Sequence, residues 1–317
     1  YTSSGDINGC SCTVSSGNVL INSGHTMTIT NAVNVTNNAT TSLVFENNAS
    51  LVQTTNVTNT GAIEYRRKSA AMKNFDYTYW SSPVTGQNIV ALSPNTLADK
   101  YFRFNGATDD WDFYNGTMVP GVGYIIRVPK PNFWPNPAAT TWEQPVAFVG
   151  VPNNGDYSFS AGAGEFNFIG NPYPSAIDAT KFMQDNSGII YGALYFWTHN
   201  TPITNNDYTA NDYATFNITG GTSTVVTDSA PSTGGTGTVP NGFIAAGQSF
   251  FVESQPTSTA TATQFVFTNS MRAAGNNSQF FKQANTKKTA TTEKNRVWLN
   301  LTNSKGAFKQ LLVGYIT

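Results

Sequence analysis

Residues 17–65 read GNVLINSGHTMTITNAVNVTNNATTSLVFENNASLVQTTNVTNTGAIEY, and this stretch decides the fold class. Short apolar pairs such as Leu43-x-Phe45 recur with period two, and turns rich in Asn, Gly and Thr separate them. Alternation of this kind indicates strands with one buried face. Strands this short favour a β-solenoid, in which each coil stacks on the preceding one. We therefore predict an all-β chain that begins with a β-solenoid-like segment over residues 1–70, with a hairpin meander as the alternative.

The composition limits the classes of partner. Charged residues make up 11% of the 317 residues, against about a quarter in an average soluble protein. Hydrophobic residues account for 39%, so cores can form, while Asn, Thr, Ser and Gly cover the surface. A net charge of −1 with 17 Lys and Arg cannot supply the dense cationic face that nucleic acid requires. No apolar run approaches the roughly 20 residues of a membrane span, and Tyr1 is not an initiator residue, so we expect a processed, exported chain without a transmembrane segment.

The middle of the chain contains landmarks that recur in the same order, which predicts an internal duplication. The matching pairs are YWSSPV (79–84) with FIGNPYP (168–174), YFRFNG (101–106) with LYFWTH (194–199), PGVGYIIRV (120–128) with AGQSFFVE (246–253), and VAFVG (146–150) with QFVF (264–267). Each copy reads as a β-sandwich unit, the first over residues 75–160 and the second over 165–272. The runs GYIIRV and QSFFVE are continuously apolar, which is typical of central strands that are buried on both faces.

Other elements are sparse. The best helical pattern covers residues 177–183, and Ser175 stands where it would cap the helix. Residues 219–237 are rich in Gly, Ser and Thr and predict a long exposed loop. Residues 273–294 predict a polar linker, and 295–317 predict a terminal β-hairpin, which either docks on the preceding unit or begins a further domain.

Six motifs carry a family resemblance over residues 75–317. They are YWSSPV, GVGYIIRVP, FNFIGNPYPSAID, GQSFFVES, FTNSMR and RVWLNLTNSKGAFKQLLVGYI. Together they resemble a block found in large secreted proteins of Bacteroidota, especially flavobacteria, upstream of a sorting domain that the type IX secretion system reads. The resemblance implies an extracellular or outer cell-surface location, an adhesin-like context and contact with the secretion machinery during export. It supplies no catalytic or binding residue, and the chain reaches Thr317 without a recognisable sorting domain.

A shorter motif fits the same lineage. Thr227-Asp228-Ser229-Ala230 resembles the acceptor for O-glycosylation in Bacteroidota. Because it falls in the predicted exposed loop, where a glycan can be accommodated, we predict modification at Ser229.

Exposed aromatic rings beside polar groups are typical of carbohydrate sites. Four tryptophans are candidates for this role: Trp111, Trp134, Trp142 and Trp197. Trp134 lies in the proline-rich PNFWPNP stretch, which could hold its ring at the surface. The alternative is that these large rings fill a core or cover its end.

Acidic turns make Ca²⁺ the one cofactor worth testing, since Ca²⁺ prefers carboxylate and amide oxygens. The candidate ligands follow the aromatic strand in each predicted copy: Asp109, Asp110 and Asp112 in the first, and Asp207 and Asp212 in the second. Neither group has the spacing of an EF-hand loop, and a solvated turn is the alternative.

Catalytic signals are weak. The two histidines, His25 and His199, lack a nucleophile context such as G-x-S-x-G. The acids are scattered, so the sequence defines no facing pair for glycoside hydrolysis. A disulfide between Cys10 and Cys12 would close a ring across a single residue and would be strained. The alternatives for this pair are two small apolar side chains or one local bridge.

The leading hypothesis is therefore a non-enzymatic extracellular module for adhesion or surface assembly, with a protein or a glycan at the cell surface as its partner. The alternatives are a carbohydrate-binding module and a polysaccharide-degrading enzyme that uses the solenoid as a groove.

Overall fold

The computed structural model describes residues 1–198, 212–223 and 239–279, together with the backbone of 296–302 and 308–314. Strands dominate the described residues, and their two α-helices are short, so the all-β prediction is confirmed. None of the helices in this described part is long and apolar enough to cross a membrane.

The N-terminal segment is built from short parallel strands. They are β1 (Ile7–Gly9), β2 (Cys12–Val14), β3 (Gly17–Ile21), β4 (Thr26–Ile29), β5 (Val33–Val35), β6 (Thr41–Phe45), β7 (Ser50–Gln53) and the longer β8 (Ile63–Met72). They pair in three parallel rows, β1-β4-β7, β2-β5 and β3-β6-β8. A hairpin meander would instead pair its neighbours antiparallel. Ile21 and Phe45, which are register partners in the β3-β6 pair, and Val33 of β5 are each 0% exposed. We refer to the segment formed by these parallel rows as the coils.

The next elements build two sheets against these coils. They are β9 (Tyr77–Trp80), β10 (Val84–Thr85), α1 (Ile89–Leu92), β11 (Tyr101–Asn105), β12 (Asp110–Phe113), β13 (Tyr124–Arg127) and β14 (Trp142–Pro152). Strand β14 pairs antiparallel with β8, which extends one row of the coils into a five-stranded sheet of order β10-β14-β8-β6-β3. A four-stranded sheet of order β12-β11-β13-β9 contributes Tyr101 and Tyr124 to the same buried core as Phe45 of the coils.

The third group of elements surrounds a separate core. It comprises β15 (Tyr157–Ser160), β16 (Phe166–Gly170), β17 (Ala176–Asp178), α2 (Ala179–Asp185), β18 (Ile190–Trp197), β19 (Tyr213–Asn217), β20 (Gly220–Thr222), β21 (Phe243–Ile244), β22 (Ser249–Ser254), β23 (Gln264–Phe267) and β24 (Arg272–Ala273). The main sheet has the order β16-β22-β18-β19-β20, while β15 pairs with β23 and β17 lies between β21 and β24. Phe182 of α2 packs on Phe250 of β22 in this core.

The two continuously apolar runs form central strands, as predicted. Strand β13 lies between β11 and β9, and β22 lies between β16 and β18. Tyr124 and Ile126 of β13 enter the core shared with the coils, whereas Ile125 between them enters a different, aromatic cluster. A strand that is buried on both faces needs apolar residues at every position, and this explains the unbroken run.

The predicted helix begins later than expected. Helix α2 starts at Ala179, and the Asp178 carboxylate caps it by accepting from the Lys181 N–H at 3.0 Å. The prediction of a Ser175 cap was wrong, because Ile177 belongs to β17 and pairs with strands on both sides. Strand pairing of Ile177 therefore overrides the apolar helical pattern of the sequence.

Buried Asn and Arg side chains join the segments. Arg272 is 9% exposed, and no acid pairs with its guanidinium among the described residues. It donates to Leu51 O (2.6 Å), Asn154 Oδ1 (3.0 Å), Asn269 Oδ1 (3.2 Å) and Ser175 Oγ (3.3 Å). Asn171 Nδ2 donates to three backbone carbonyls, Ser175 O, Ile244 O and Ala245 O. The Arg272 bond to Leu51 links the coils to β24, while the Asn171 bonds join later parts of the chain to one another.

The chain divides into two compact units, Tyr1–Gln283 and Ala284–Thr317. The first spans all three predicted segments and continues past the expected boundary at residue 272. Asn277 is 1% exposed there and donates to Ala49 O at 2.7 Å, so the beginning of the predicted linker packs on the coils. The second unit contains the predicted hairpin, in which β25 (Arg296–Thr302) pairs antiparallel with β26 (Phe308–Gly314).

Candidate functional site

Two sheet faces covered with aromatic side chains meet inside the first compact unit. One belongs to the four-stranded sheet of β9 and β11–β13, and the other to the five-stranded sheet of β16, β18–β20 and β22. The Tyr79 and Phe168 rings contact edge to face with centroids 4.7 Å apart, and Phe104 meets Phe251 at 4.8 Å. Because residues alternate along a strand, each sheet turns these rings toward the other and its remaining apolar residues toward its own core.

The sheets touch closely at one end. Isolated antiparallel bridges join Trp80 to Gln248 and Val122 to Ile169. Gly123 lies beside the second bridge, and a Cβ there would come within 2.6 Å of the Phe168 ring. Only glycine allows the backbone of one sheet to approach a ring of the other this closely.

The sheets separate away from this end. Along β16 the exposed fraction rises from 3% at Phe168 to 41% at Phe166. Along β9 it rises from 7% at Tyr79 to a half-buried Tyr77. The gap between the sheets therefore opens toward Tyr77 and Phe166.

This gap is a cleft of about 890 Å³. Its walls are almost entirely aromatic: Tyr77, Tyr79, Phe102, Phe104, Trp111, Phe166, Tyr195, Trp197, Tyr213 and Phe251, with Ile125 and Asp109. A concave, mostly apolar site with a few polar groups is the usual form of a ligand site. We name it the aromatic cleft.

Its polar groups are mainly neutral. The hydroxyls of Tyr79 and Tyr213 share a hydrogen bond, and burial raises the pKa of Tyr213 to about 12. Burial also raises the pKa of Tyr195, and the nearby Glu253 carboxylate adds to the effect. The pKa of Glu253 itself is raised by burial. At neutral pH the phenols therefore act as uncharged hydrogen-bonding groups along the walls.

The four predicted tryptophans fall into two groups. Trp111 and Trp197 line the aromatic cleft, one from each sheet. Trp111 is half-buried, whereas Trp197 is 6% exposed and stacks on Tyr79. Trp134 is 4% exposed, donates its indole N–H to Pro129 O at 2.8 Å and packs near Trp142. This burial fits the alternative that these rings cover the end of a core.

The predicted calcium ligands do not gather around one point in the described residues, where no group of three acid, His or Cys side chains could hold a metal ion. Asp109 lies in the exposed turn before β12 and lines the aromatic cleft. Asp112 faces Arg103 across the strand pair, at 3.9 Å from Nε. Asp110 accepts from the Trp111 N–H, and Asp212 is 2% exposed beside Thr198.

Three other predicted positions lie outside the described residues: Asp207, the glycosylation candidate Ser229 and His199.

His25 is described, and its Nδ1 is 2.7 Å from Ser3 Oγ. Ser3 is 2% exposed and its hydroxyl also accepts from the Asn22 N–H, so the pair fastens successive coils. A nucleophile would need access to a substrate, which this buried hydroxyl lacks. The described free cysteines, Cys10 and Cys12, form no disulfide.

Sequence reasoning missed most of the cleft. The omitted residues include Phe102, Phe104, Phe166, Tyr195 and Tyr213. For the first four, the signal was period-two spacing of aromatics in YFRFN, EFNF and LYFW, which places the rings on one face of each strand. Tyr213 lies outside these three stretches.

Searches of curated proteins and of solved structures found no match to this chain. A family model described as a domain of unknown function, DUF8693, matches residues 3–317, and the chain therefore belongs to the DUF8693 family.

Proposed function

We propose that this chain is a non-enzymatic extracellular surface module that acts in adhesion or surface assembly by binding a partner in the aromatic cleft. The observation that carries the proposal is the cleft itself, about 890 Å³ lined by ten aromatic rings, of which seven keep accessible surface. Burying an aromatic ring against a ligand contributes about 0.5–1.5 kcal/mol beyond the apolar area that it covers. A few such contacts suffice for specific binding without any charged group.

The half-buried rings favour a recognition role over a purely structural one. Trp111 and Tyr195 retain accessible surface even though each packs among other rings. Phe166 is 41% exposed at the mouth of the cleft. Aromatic side chains left partly accessible in a concavity are the residues that dominate binding energy at known recognition sites.

The test is binding of the full chain to arrays of immobilised glycans and of bacterial surface proteins. We expect saturable binding that Trp111→Ala weakens at least about tenfold, the cost of one well-packed ring. Trp142→Ala is the matched control, because Trp142 is also a half-buried tryptophan but lies outside the cleft. Equal binding by the two variants would contradict a role for the cleft. Release of cleaved products from a bound polymer would contradict a non-enzymatic function.

We also propose export to the outer cell surface by a type IX-like route. The low charge and the resemblance of residues 75–317 to secreted proteins of Bacteroidota support this location. Fractionation of a producing bacterium tests it, and we expect the protein to be degraded by protease added to intact cells. Recovery of the intact protein from the cytoplasm would contradict the proposal.

A further inference from the structure

The two walls of the aromatic cleft repeat the same arrangement of residues. In the first wall, Ile125 of β13 pairs with Phe102 of β11 on one side and with Tyr79 of β9 on the other. In the second wall, Phe251 of β22 has the central position, which corresponds to that of Ile125 in the first wall. Its neighbours are Tyr195 of β18 and Phe168 of β16.

The correspondence continues along both sheets. Phe104 pairs with Trp111 in the first wall, and Trp197 pairs with Tyr213 in the second. The ring centroids of both pairs are 5.2 Å apart. The strand order also agrees, since β9-β13-β11-β12 runs in the same sense as β16-β22-β18-β19.

The contacts that close the cleft are duplicated as well. Ser81 N donates to Gly247 O at 2.9 Å, and Gly170 N donates to Gly121 O at 3.0 Å. Both accepting glycines have positive φ, +83° at Gly121 and +75° at Gly247. Each wall thus donates one backbone hydrogen bond to a glycine carbonyl of the other wall and accepts one from it in return. This reciprocity is the property of a two-fold interface, in which the same patch is used from both sides.

The chemistry of the walls narrows the class of ligand. The described lining residues contain one carboxylate, Asp109, and no Lys or Arg, so they do not favour an anionic ligand. The walls are faces of sheets, whose backbone groups are already paired within the sheet. They therefore offer few partners for the polar backbone of an extended peptide. A sugar ring differs, because its hydroxyls lie around its edge and leave C–H faces free to pack on aromatic rings, while the phenols supply hydrogen bonds.

We propose that the aromatic cleft is a duplicated site that holds an uncharged linear polysaccharide between two equivalent walls. This inference rests on the proposed function and names its ligand. The volume of about 890 Å³ lies near the upper end of the roughly 300–1,000 Å³ of small-molecule sites, which suits several sugar units and not one.

Calorimetric titration of the full chain tests the inference. The probes are neutral oligosaccharides of one to six units from the cello-, xylo-, manno-, laminari- and chito- series, together with a proline-rich decapeptide. We expect one neutral series to bind, with affinity that rises with chain length and then levels off. Phe102→Ala and Tyr195→Ala change equivalent positions, so each should weaken binding about tenfold, and their combination about a hundredfold. Phe133→Ala is the control, since Phe133 is 48% exposed outside the cleft.

Phe102→Leu and Tyr195→Leu keep apolar bulk while removing the flat ring face. They should also weaken binding, and unchanged far-ultraviolet circular dichroism with a cooperative thermal transition would show that the fold is retained. A loss confined to one wall, or equal affinity for one unit and six, would overturn the duplicated site while the proposed function stands. Binding of the decapeptide in place of every sugar series would overturn the choice of ligand. If neither wall affects binding to any partner, the proposed function fails with it.

Discussion

Replacing Arg272 by lysine should destabilise the protein more than replacing it by methionine. Arg272 is buried, and its guanidinium makes four hydrogen bonds to groups from separate parts of the chain, among them Leu51 O at 2.6 Å. Burial lowers the pKa of Arg272 from its usual value to about 10. At about 1.4 kcal/mol per pKa unit, keeping this cation out of water costs about 3 kcal/mol.

Methionine removes the hydrogen bonds but also removes that cost. Four bonds at about 1 kcal/mol each, together with the stacking of the Arg272 guanidinium on the Tyr173 ring at 4.9 Å, outweigh the relief only moderately. We expect Arg272→Met to lower the free energy of unfolding by about 2 kcal/mol. Lysine keeps a buried charge and cannot reproduce the planar fork of donors. Arg272→Lys should therefore cost about 3–5 kcal/mol, the usual penalty for a poorly partnered buried charge.

Urea unfolding at pH 7, followed by tryptophan fluorescence, measures both variants. A second series at pH 9.5 adds a check, because a buried lysine loses its proton more readily than arginine does. The lysine variant should recover part of its stability relative to the methionine variant as the pH rises. A lysine variant that equals or exceeds the methionine variant at pH 7 would refute the reasoning.

Three further changes test other features. Gly123→Ala should cost about 1–3 kcal/mol by overpacking, because the new Cβ would meet a phenylalanine ring at 2.6 Å. Its control Gly5→Ala, which meets nothing within 4 Å, should be neutral in thermal unfolding. Asn171→Asp should cost at least about 3 kcal/mol, since it sets a carboxylate against three carbonyls, and acid should partly restore it. Burial raises the pKa of Tyr65 from 10 to about 12, so its contribution of about 3 kcal/mol is present below pH 10 and is lost as the pH rises toward 12. Arg272 opposes this loss in the same window, but the other buried tyrosines add to it, so the melting temperature should fall above pH 10.

Each of these expectations has a contradicting outcome. Equal melting temperatures for the two glycine variants would mean that the sheets do not approach as closely as the structure shows. Asn171→Asp with unchanged stability at pH 7 would mean that the side chain does not point its donors at the carbonyls. A melting temperature that stays level or rises above pH 10 would mean that the arginine outweighs the tyrosines.

The architecture was predictable where the sequence pattern admits one physical solution. Period-two pairs place residues such as Ile21 and Phe45 inside the coils, and both are fully buried. Unbroken apolar runs require two buried faces, and Ile125 does pack on the opposite side from its two neighbours. The start of α2 was not predictable, because the competing strand partners of Ile177 are distant in sequence.

The candidate site was predictable only in part. The sequence shows that a tryptophan brings a large ring, but it does not show which surface will cover that ring. Trp111 and Trp134 were therefore both predicted to bind carbohydrate. Their separation depends on which sheet faces which, a long-range fact that local spacing does not contain. The orientation of the acidic side chains in the turn was easier to predict. Because Asp110 and Asp112 flank Trp111 on one strand, alternation alone turns their side chains away from the ring that enters the cleft.

The scarcity of charge and the abundance of asparagine have one structural explanation. The joints between segments bury irregular backbone, whose N–H and C=O groups need partners. An asparagine amide supplies both donors and an acceptor without carrying a charge out of water. Asn153 bonds two carbonyls from different turns, and Asn59 joins a coil to the end of β14. A chain stabilised in this way needs few ion pairs, and its recognition surface can be neutral as well. The aromatic cleft is nearly uncharged too, since its described lining has one carboxylate and no Lys or Arg, and this lining is what argues for an uncharged ligand.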